Sequence, residues 1–168
     1  NKGIRVEPLF VTRIEDSYGN TIANFTPQMS EVLTEDASYK MLHMLKSVID
    51  GGTGGRVRFR YGIKAEMGGK TGTTQNNSDG WFMGFTPSLV SGCWVGGEDR
   101  SIHFDRLAEG QGASMALPIY ALYMQKVYKD KTLGYSEDET FEIPEKYANP
   151  CSEGGEEDSP TTPPDTGG

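Results

Sequence analysis

Six consecutive residues, Gly69-Lys70-Thr71-Gly72-Thr73-Thr74, bring together a fixed cation, three hydroxyls and two positions without side chains. That set suits the binding of an anion. Lys70 supplies positive charge to a carboxylate, or to an oxyanion that develops during a reaction. The hydroxyls of Thr71 and Thr73 donate hydrogen bonds to a carboxylate. Gly68, Gly69 and Gly72 let a ligand backbone lie close along the chain. Without its surroundings the stretch reads equally well as an exposed lysine between threonines that favour strands.

A phosphate-binding chemistry competes for these residues. A phosphate-binding loop would read Gly-x-x-x-x-Gly-Lys-Thr, but position 64 is Lys64, and Gln75-Asn76-Asn77-Ser78-Asp79-Gly80 is turn chemistry where that loop needs a helix.

The elements that must position this stretch are legible on both sides. Trp81–Phe85 and Leu89–Val95 are apolar runs around Thr86-Pro87-Ser88, the pattern of an antiparallel hairpin. Both runs are apolar on both faces, so a sheet covered on both sides is expected. Lys70 to Thr73 then lie on the strand just before the hairpin. Upstream, Asp16-Ser17-Tyr18-Gly19-Asn20 reads as a turn between two strands. Thr34 is an N-cap, Glu35 and Asp36 fill a first turn, and Leu42, Leu45 and Ile49 recur at helical spacing until Gly51 and Gly52 stop the helix. A second helix is expected over Ala113–Lys129, with Met115, Ile119, Leu122, Met124 and Val127 among its apolar positions. Pro118 should kink it or shorten its first turn. Arg56 to Tyr61 alternates arginine with apolar and aromatic residues. Six residues are too few for nucleic-acid recognition, so this segment is read as solvated and β-like.

At this point a resemblance becomes specific. Val11–Asp16 with Gly19-Asn20, Gly52-Thr53-Gly54, Gly69–Gln75, Asp79–Pro87, Trp94-Val95-Gly96-Gly97 and Ala116-Leu117-Pro118-Ile119 follow one another as in the C-terminal part of the transpeptidase domain of class A, bifunctional penicillin-binding proteins. Lys70-Thr71-Gly72 resembles a signature shared by these proteins and serine β-lactamases. No serine in the chain stands in the family's other two patterns, Ser-x-x-Lys and Ser-x-Asn, so the resemblance implies half of an active site. The resemblance covers about residues 5 to 130. It implies an α+β fold, the C-terminal portion of the penicillin-binding transpeptidase and serine β-lactamase-like fold, with about three strands of an antiparallel sheet here, flanked by helices. It implies catalytic roles for Lys70, Thr71, Gly72 and Thr73, the Thr73 N–H serving as an oxyanion donor, and substrate contacts from Lys70, Thr71, Thr73 and Thr74. The nucleophilic serine would lie upstream of Asn1. The implied reaction is D,D-transpeptidation of peptidoglycan stem peptides, blocked by β-lactams. A D,D-carboxypeptidase, a β-lactamase or a non-catalytic wall-binding module are the alternatives. The implied partners are stem peptides, β-lactams and the upstream part of the same polypeptide. The implied location is extracytoplasmic, with an inner-membrane anchor far upstream.

Charge is distributed unevenly. Residues 1–136 hold 15 Lys/Arg against 14 Asp/Glu, whereas residues 137–168 hold one against ten. The first part is read as the transpeptidase portion and residues 137–168 as an acidic, largely disordered tail, with Phe141, Ile143 and Pro144 able to dock on the domain. No cofactor is expected. His43 and His103 form no metal-ligand pattern, and Cys93 on a strand and Cys151 in the tail make no structural disulfide. Nucleic acid is not an expected partner, and no segment is apolar enough to span a membrane.

Overall fold

The computed structural model describes residues 1–148. The strands form three antiparallel sheets. Strand β1 (Ile4–Val6) pairs with β4 (Met29–Glu31), and β2 (Arg13–Glu15) with β3 (Thr21–Asn24). The expected turn between β2 and β3 is organised by Asp16. Its carboxylate accepts from the N–H groups of Tyr18 (2.8 Å) and Asn20 (2.9 Å), and Gly19 takes a left-handed φ of 85°. The main sheet runs β5 (Gly68–Thr73), β6 (Asp79–Phe85), β7 (Val90–Gly96), so the site strand lies at an edge of it.

Helix α1 (Glu35–Asp50) begins as its sequence dictates. The Thr34 hydroxyl accepts from the Ala37 N–H at 3.2 Å, and the Gly51 N–H closes the other end on the Ser47 carbonyl at 3.1 Å. Ile49 is fully buried against β5. A turn of helix, α3 (Leu107–Gly110), precedes helix α4 (Gly112–Lys129), which crosses β6 and β7. Its buried stripe is Ala113, Ala116, Leu117, Tyr120, Ala121, Met124 and Val127, and Phe82 packs on Tyr120 with ring centroids 4.7 Å apart. Of the apolar positions expected to matter, Met124 and Val127 face the core, but Ile119 and Leu122 are exposed. Small residues fill the contact instead. Gly80 on β6 faces Gly112 and the tip of Met115, and Gly84 faces the Tyr120 phenol, which brings helix and sheet close. A Cβ on Gly84 would overlap the Tyr120 phenol.

Three expectations are corrected. First, the main sheet is covered on one face only among the described residues. Along β6, Gly80, Phe82 and Gly84 are buried, while Trp81 is 46% and Met83 43% exposed; Trp94 on β7 is 46% exposed. Being apolar on both faces therefore does not mean that this chain covers both. Second, Arg56–Tyr61 is not β-like: Arg56–Phe59 is a helical turn, α2, with Val57 fully buried. Its arginines hold backbone. Arg58 bonds the Ile63 (3.0 Å) and Ala65 (2.6 Å) carbonyls and the Asp50 carboxylate, and Arg56 bonds the Ala113 carbonyl and the Ser114 hydroxyl, each at 3.1 Å. Third, Pro118 leaves α4 continuous from Gly112, and the first turn is intact. Proline removes the N–H that would have bonded the Ser114 carbonyl, at the end of the helix that Arg56 secures.

The start of the acidic segment is docked rather than detached. The Phe141 ring packs edge-on against Phe85 at 5.8 Å, and its N–H donates to Glu66 at 2.7 Å. The other Glu66 oxygen pairs with Lys46 of α1. A short helix, α5 (Glu145–Ala148), lays Tyr147 on Tyr39, with its hydroxyl bonded to Asp36. Phe141 thus docks as expected, whereas Ile143 stays exposed. The rest of the expected tail, residues 149–168 with Cys151, lies outside the described residues.

Candidate active site

Strand geometry sorts the site residues onto two faces. Successive side chains alternate, so Lys70 and Gly72 share one face with Trp81, Met83 and Trp94, whereas Thr71 and Thr73 share the other with Phe82 and Gly80. The hydrogen-bond phase is fixed at one end, where the Thr74 N–H donates to the directly opposite Asp79 carbonyl at 3.2 Å. Bonded pairs alternate along an antiparallel ladder. Gly72 and Lys70 are therefore the pairs bonded to β6, and the backbone groups of Thr71 and Thr73 point out from the sheet edge. The Thr71 carbonyl, so exposed, accepts from the Lys70 ammonium at 2.7 Å.

Each threonine is held differently. The Thr71 hydroxyl lies 3.1 Å from that of Thr53, which follows α1 in the Gly52-Thr53-Gly54 loop. The Thr73 hydroxyl accepts from the N–H of Gly112, the first residue of α4, at 3.1 Å. The Thr74 hydroxyl is engaged by the β5–β6 turn: it accepts from the Asp79 N–H at 3.2 Å and lies 3.0 Å from the Ser78 hydroxyl. Thr74 thus shapes the turn, and its side chain is not free for a ligand in this geometry. Asn76 and Asn77 in that turn have φ of 59° and 55°, which asparagine tolerates better than most residues. Phe104 braces them, its N–H on the Asn77 carbonyl and its carbonyl receiving the Asn77 amide, both at 3.3 Å.

The arrangement can therefore offer a cation, two hydroxyls and two outward-facing backbone positions along one strand edge. Lys70, Thr71, Gly72 and Thr73 come together as their contiguity requires. Thr53 and Gly112, both beyond the reach of sequence reasoning, join them. Gly52-Thr53-Gly54 is legible as a helix stop and as one segment of the family resemblance, but nothing in the spacing ties Thr53 to a strand 18 residues later. Among the described residues no group of His, Cys, Asp and Glu could hold a metal ion.

The family model described as the penicillin-binding protein transpeptidase domain matches residues 1–92, and the chain belongs to that family. Penicillin-binding protein 1A of Aquifex aeolicus is 35% identical over 144 residues, covering 86% of this chain and 18% of that protein. Penicillin-binding protein 1A of Clostridium tetani is 30% identical over 174 residues, covering 99% of this chain and 20% of its own length. The chain thus spans about a fifth of the length of the curated relatives it matches. The fold agrees. The crystal structure of penicillin-binding protein 1A from Haemophilus influenzae superposes with a TM-score of 0.67 at 22% identity, over 86% of this chain and 26% of that one. Penicillin-binding protein A of Mycobacterium tuberculosis, solved as an imipenem acyl-enzyme complex, superposes with 0.54 at 19% identity, over 74% and 28%.

Proposed function

We propose that this chain forms the substrate-binding strand of a D,D-transpeptidase that cross-links peptidoglycan stem peptides through a serine acyl-enzyme. The observation that carries this reading is the outward-facing Thr73 backbone beside Lys70 and the two threonine hydroxyls, on the edge of a sheet in this family's fold. A stem peptide ends in a D-alanine carboxylate, and a penicillin carries a carboxylate in the corresponding place. The Thr71 and Thr73 hydroxyls receive that group. The serine lies outside this chain. Its oxygen attacks the penultimate D-alanine carbonyl, whose oxygen gains charge that the Thr73 N–H stabilises. The terminal D-alanine leaves with a proton, and an amine from a neighbouring stem then takes the acyl group and frees the serine. Lys70, leaving β5 on the other face, supplies positive charge to the reacting centre. Gly72 keeps that face open beside Trp81, where an added Cβ would come within 3.2 Å of the indole-bearing carbon. Penicillin enters the first step and stalls at the second. The reaction is placed outside the cytoplasmic membrane, with the natural polypeptide anchored in it.

The test is intact-mass spectrometry after incubation with benzylpenicillin, applied to the natural full-length polypeptide and to this chain alone. A penicilloyl adduct on the full-length polypeptide only is expected. An adduct on this chain alone would move the nucleophile into it, and no adduct on either would favour a non-catalytic wall-binding module.

A further inference from the structure

We propose that Gly112 is a positioning residue for this site: its N–H fixes the orientation of the Thr73 hydroxyl, so that the hydroxyl proton is presented to the ligand carboxylate. The proposal rests on the transpeptidase reading above.

A threonine hydroxyl has one proton to donate and two lone pairs to accept with. A backbone N–H only donates. The 3.1 Å contact between the Gly112 nitrogen and Thr73 Oγ1 therefore occupies a lone pair and leaves the proton uncommitted. Among the described residues no acceptor takes that proton. The two neighbouring hydroxyls differ. Thr74 Oγ1 lies 3.3 Å from the Asp79 carbonyl, an acceptor for its proton inside the turn. Thr71 and Thr53 share a contact in which either can be the donor. Of the three, only Thr73 has a partner that dictates outward donation.

The fold protects this contact in two ways. Gly112 opens an 18-residue helix whose N-cap, Gln111, makes no side-chain cap, so Thr73 supplies the missing acceptor from 39 residues away. The positive end of the helix also draws charge from the oxygen and strengthens the hydroxyl as a donor. Glycine is required for the approach, since a Cβ on residue 112 would overlap the Gly72 and Trp81 carbonyl oxygens. An ordinary substitution there would displace the strand, so the N–H must be removed without adding atoms.

The experiment replaces Gly112 by glycolic acid in the natural full-length polypeptide, which exchanges the N–H for an ester oxygen. Second-order acylation rates are measured with benzylpenicillin and with its carboxylate methyl ester. The acid should react about tenfold more slowly with the altered protein, the loss of one well-oriented hydrogen bond to a charged group, while the ester changes less than twofold. In a Thr73→Val background the same exchange should have no further effect, and Thr73→Ser should keep the preference for the acid. Equal slowing of both probes, or slowing that persists in Thr73→Val, would reduce Gly112 to a packing residue and overturn the proposal. Should the ester-linked protein melt far below the parent, Thr73→Ser against Thr73→Val decides alone: equal preference for the acid in both overturns the proposal. An unaltered protein that is acylated without preferring the acid also overturns it but leaves the transpeptidase reading standing. No acylation of the unaltered protein removes both.

Discussion

Lys70 and Thr71 leave β5 on opposite faces, yet the long Lys70 side chain returns its ammonium to the Thr71 carbonyl at the sheet edge, 2.7 Å away. In the proposed reaction the two hydroxyls serve the carboxylate of a ligand lying along that edge, and the ammonium supplies charge to the reacting centre. These roles make distinct predictions. Lys70→Ala in the natural polypeptide should lower the benzylpenicillin acylation rate by at least about 10²-fold, the scale of a lost oxyanion-stabilising group; an unchanged rate in stopped-flow measurements would sink the role given to it. Thr53→Val removes the hydroxyl partner of Thr71 without touching the ligand. It should weaken the apparent affinity for benzylpenicillin severalfold while leaving the first-order acylation step within about twofold, since a neutral hydrogen bond contributes only about 1 kcal/mol.

Helix α4 meets the sheet through small residues, and that contact has little room. Adding a methyl at Gly84 forces it into the Tyr120 ring, whose hydroxyl is already buried and whose acidity burial lowers well below that of a free phenol. Gly84→Ala should destabilise the fold by roughly 1–3 kcal/mol, the usual cost of overpacking, seen as a lower melting temperature; an unchanged transition would show that α4 can withdraw freely. The docked segment after α4 depends on Glu66. Burial pushes its carboxyl up, but the Lys46 ammonium and the Phe141 N–H outweigh burial and hold it below the usual carboxylate range. A carboxylate whose folded pKa is depressed contributes stability that is present above its ordinary value of 4.5 and is lost as pH falls through the lower folded value. Hydrogen exchange at the Phe141 amide should therefore accelerate as pH drops below about 4.5, after correction for intrinsic rates. Glu66→Gln should accelerate it already at neutral pH and flatten that dependence.

Across the whole molecule, one face of the main sheet carries Trp81, Met83 and Trp94 half exposed, together with Val90 at 70% exposure. An apolar surface this continuous is seldom left to water, and the transpeptidase reading expects the upstream part of the polypeptide to cover it. Trp81→Ser should then lower the melting temperature of the natural polypeptide by several degrees, as expected for a loss of about 2 kcal/mol or more from a covered indole. Acrylamide should quench the tryptophans of the isolated chain more strongly than those of the natural polypeptide. Equal quenching in both would leave the face uncovered.

How much of this was legible beforehand depends on the range of the interaction. The capped helix from Thr34 to Gly51, the Asp16 turn, the strand through Lys70 and the hairpin after it follow from local rules: a hydroxyl three residues from an N–H, a glycine at a helix end, apolar runs around a proline. The proposed site stretch from Lys70 to Thr73 is contiguous, so its residues lie together whatever the fold. Tertiary structure decided everything that required knowing which distant atoms meet. It turned the arginines after Gly55 into ligands for backbone carbonyls, which alternation with apolar residues misread as a strand. It assigned the Thr74 hydroxyl to a turn, and it brought Thr53 and Gly112 to the two threonines that remain. A side chain's type is local, but the direction of its proton is set by whichever group packing places beside it.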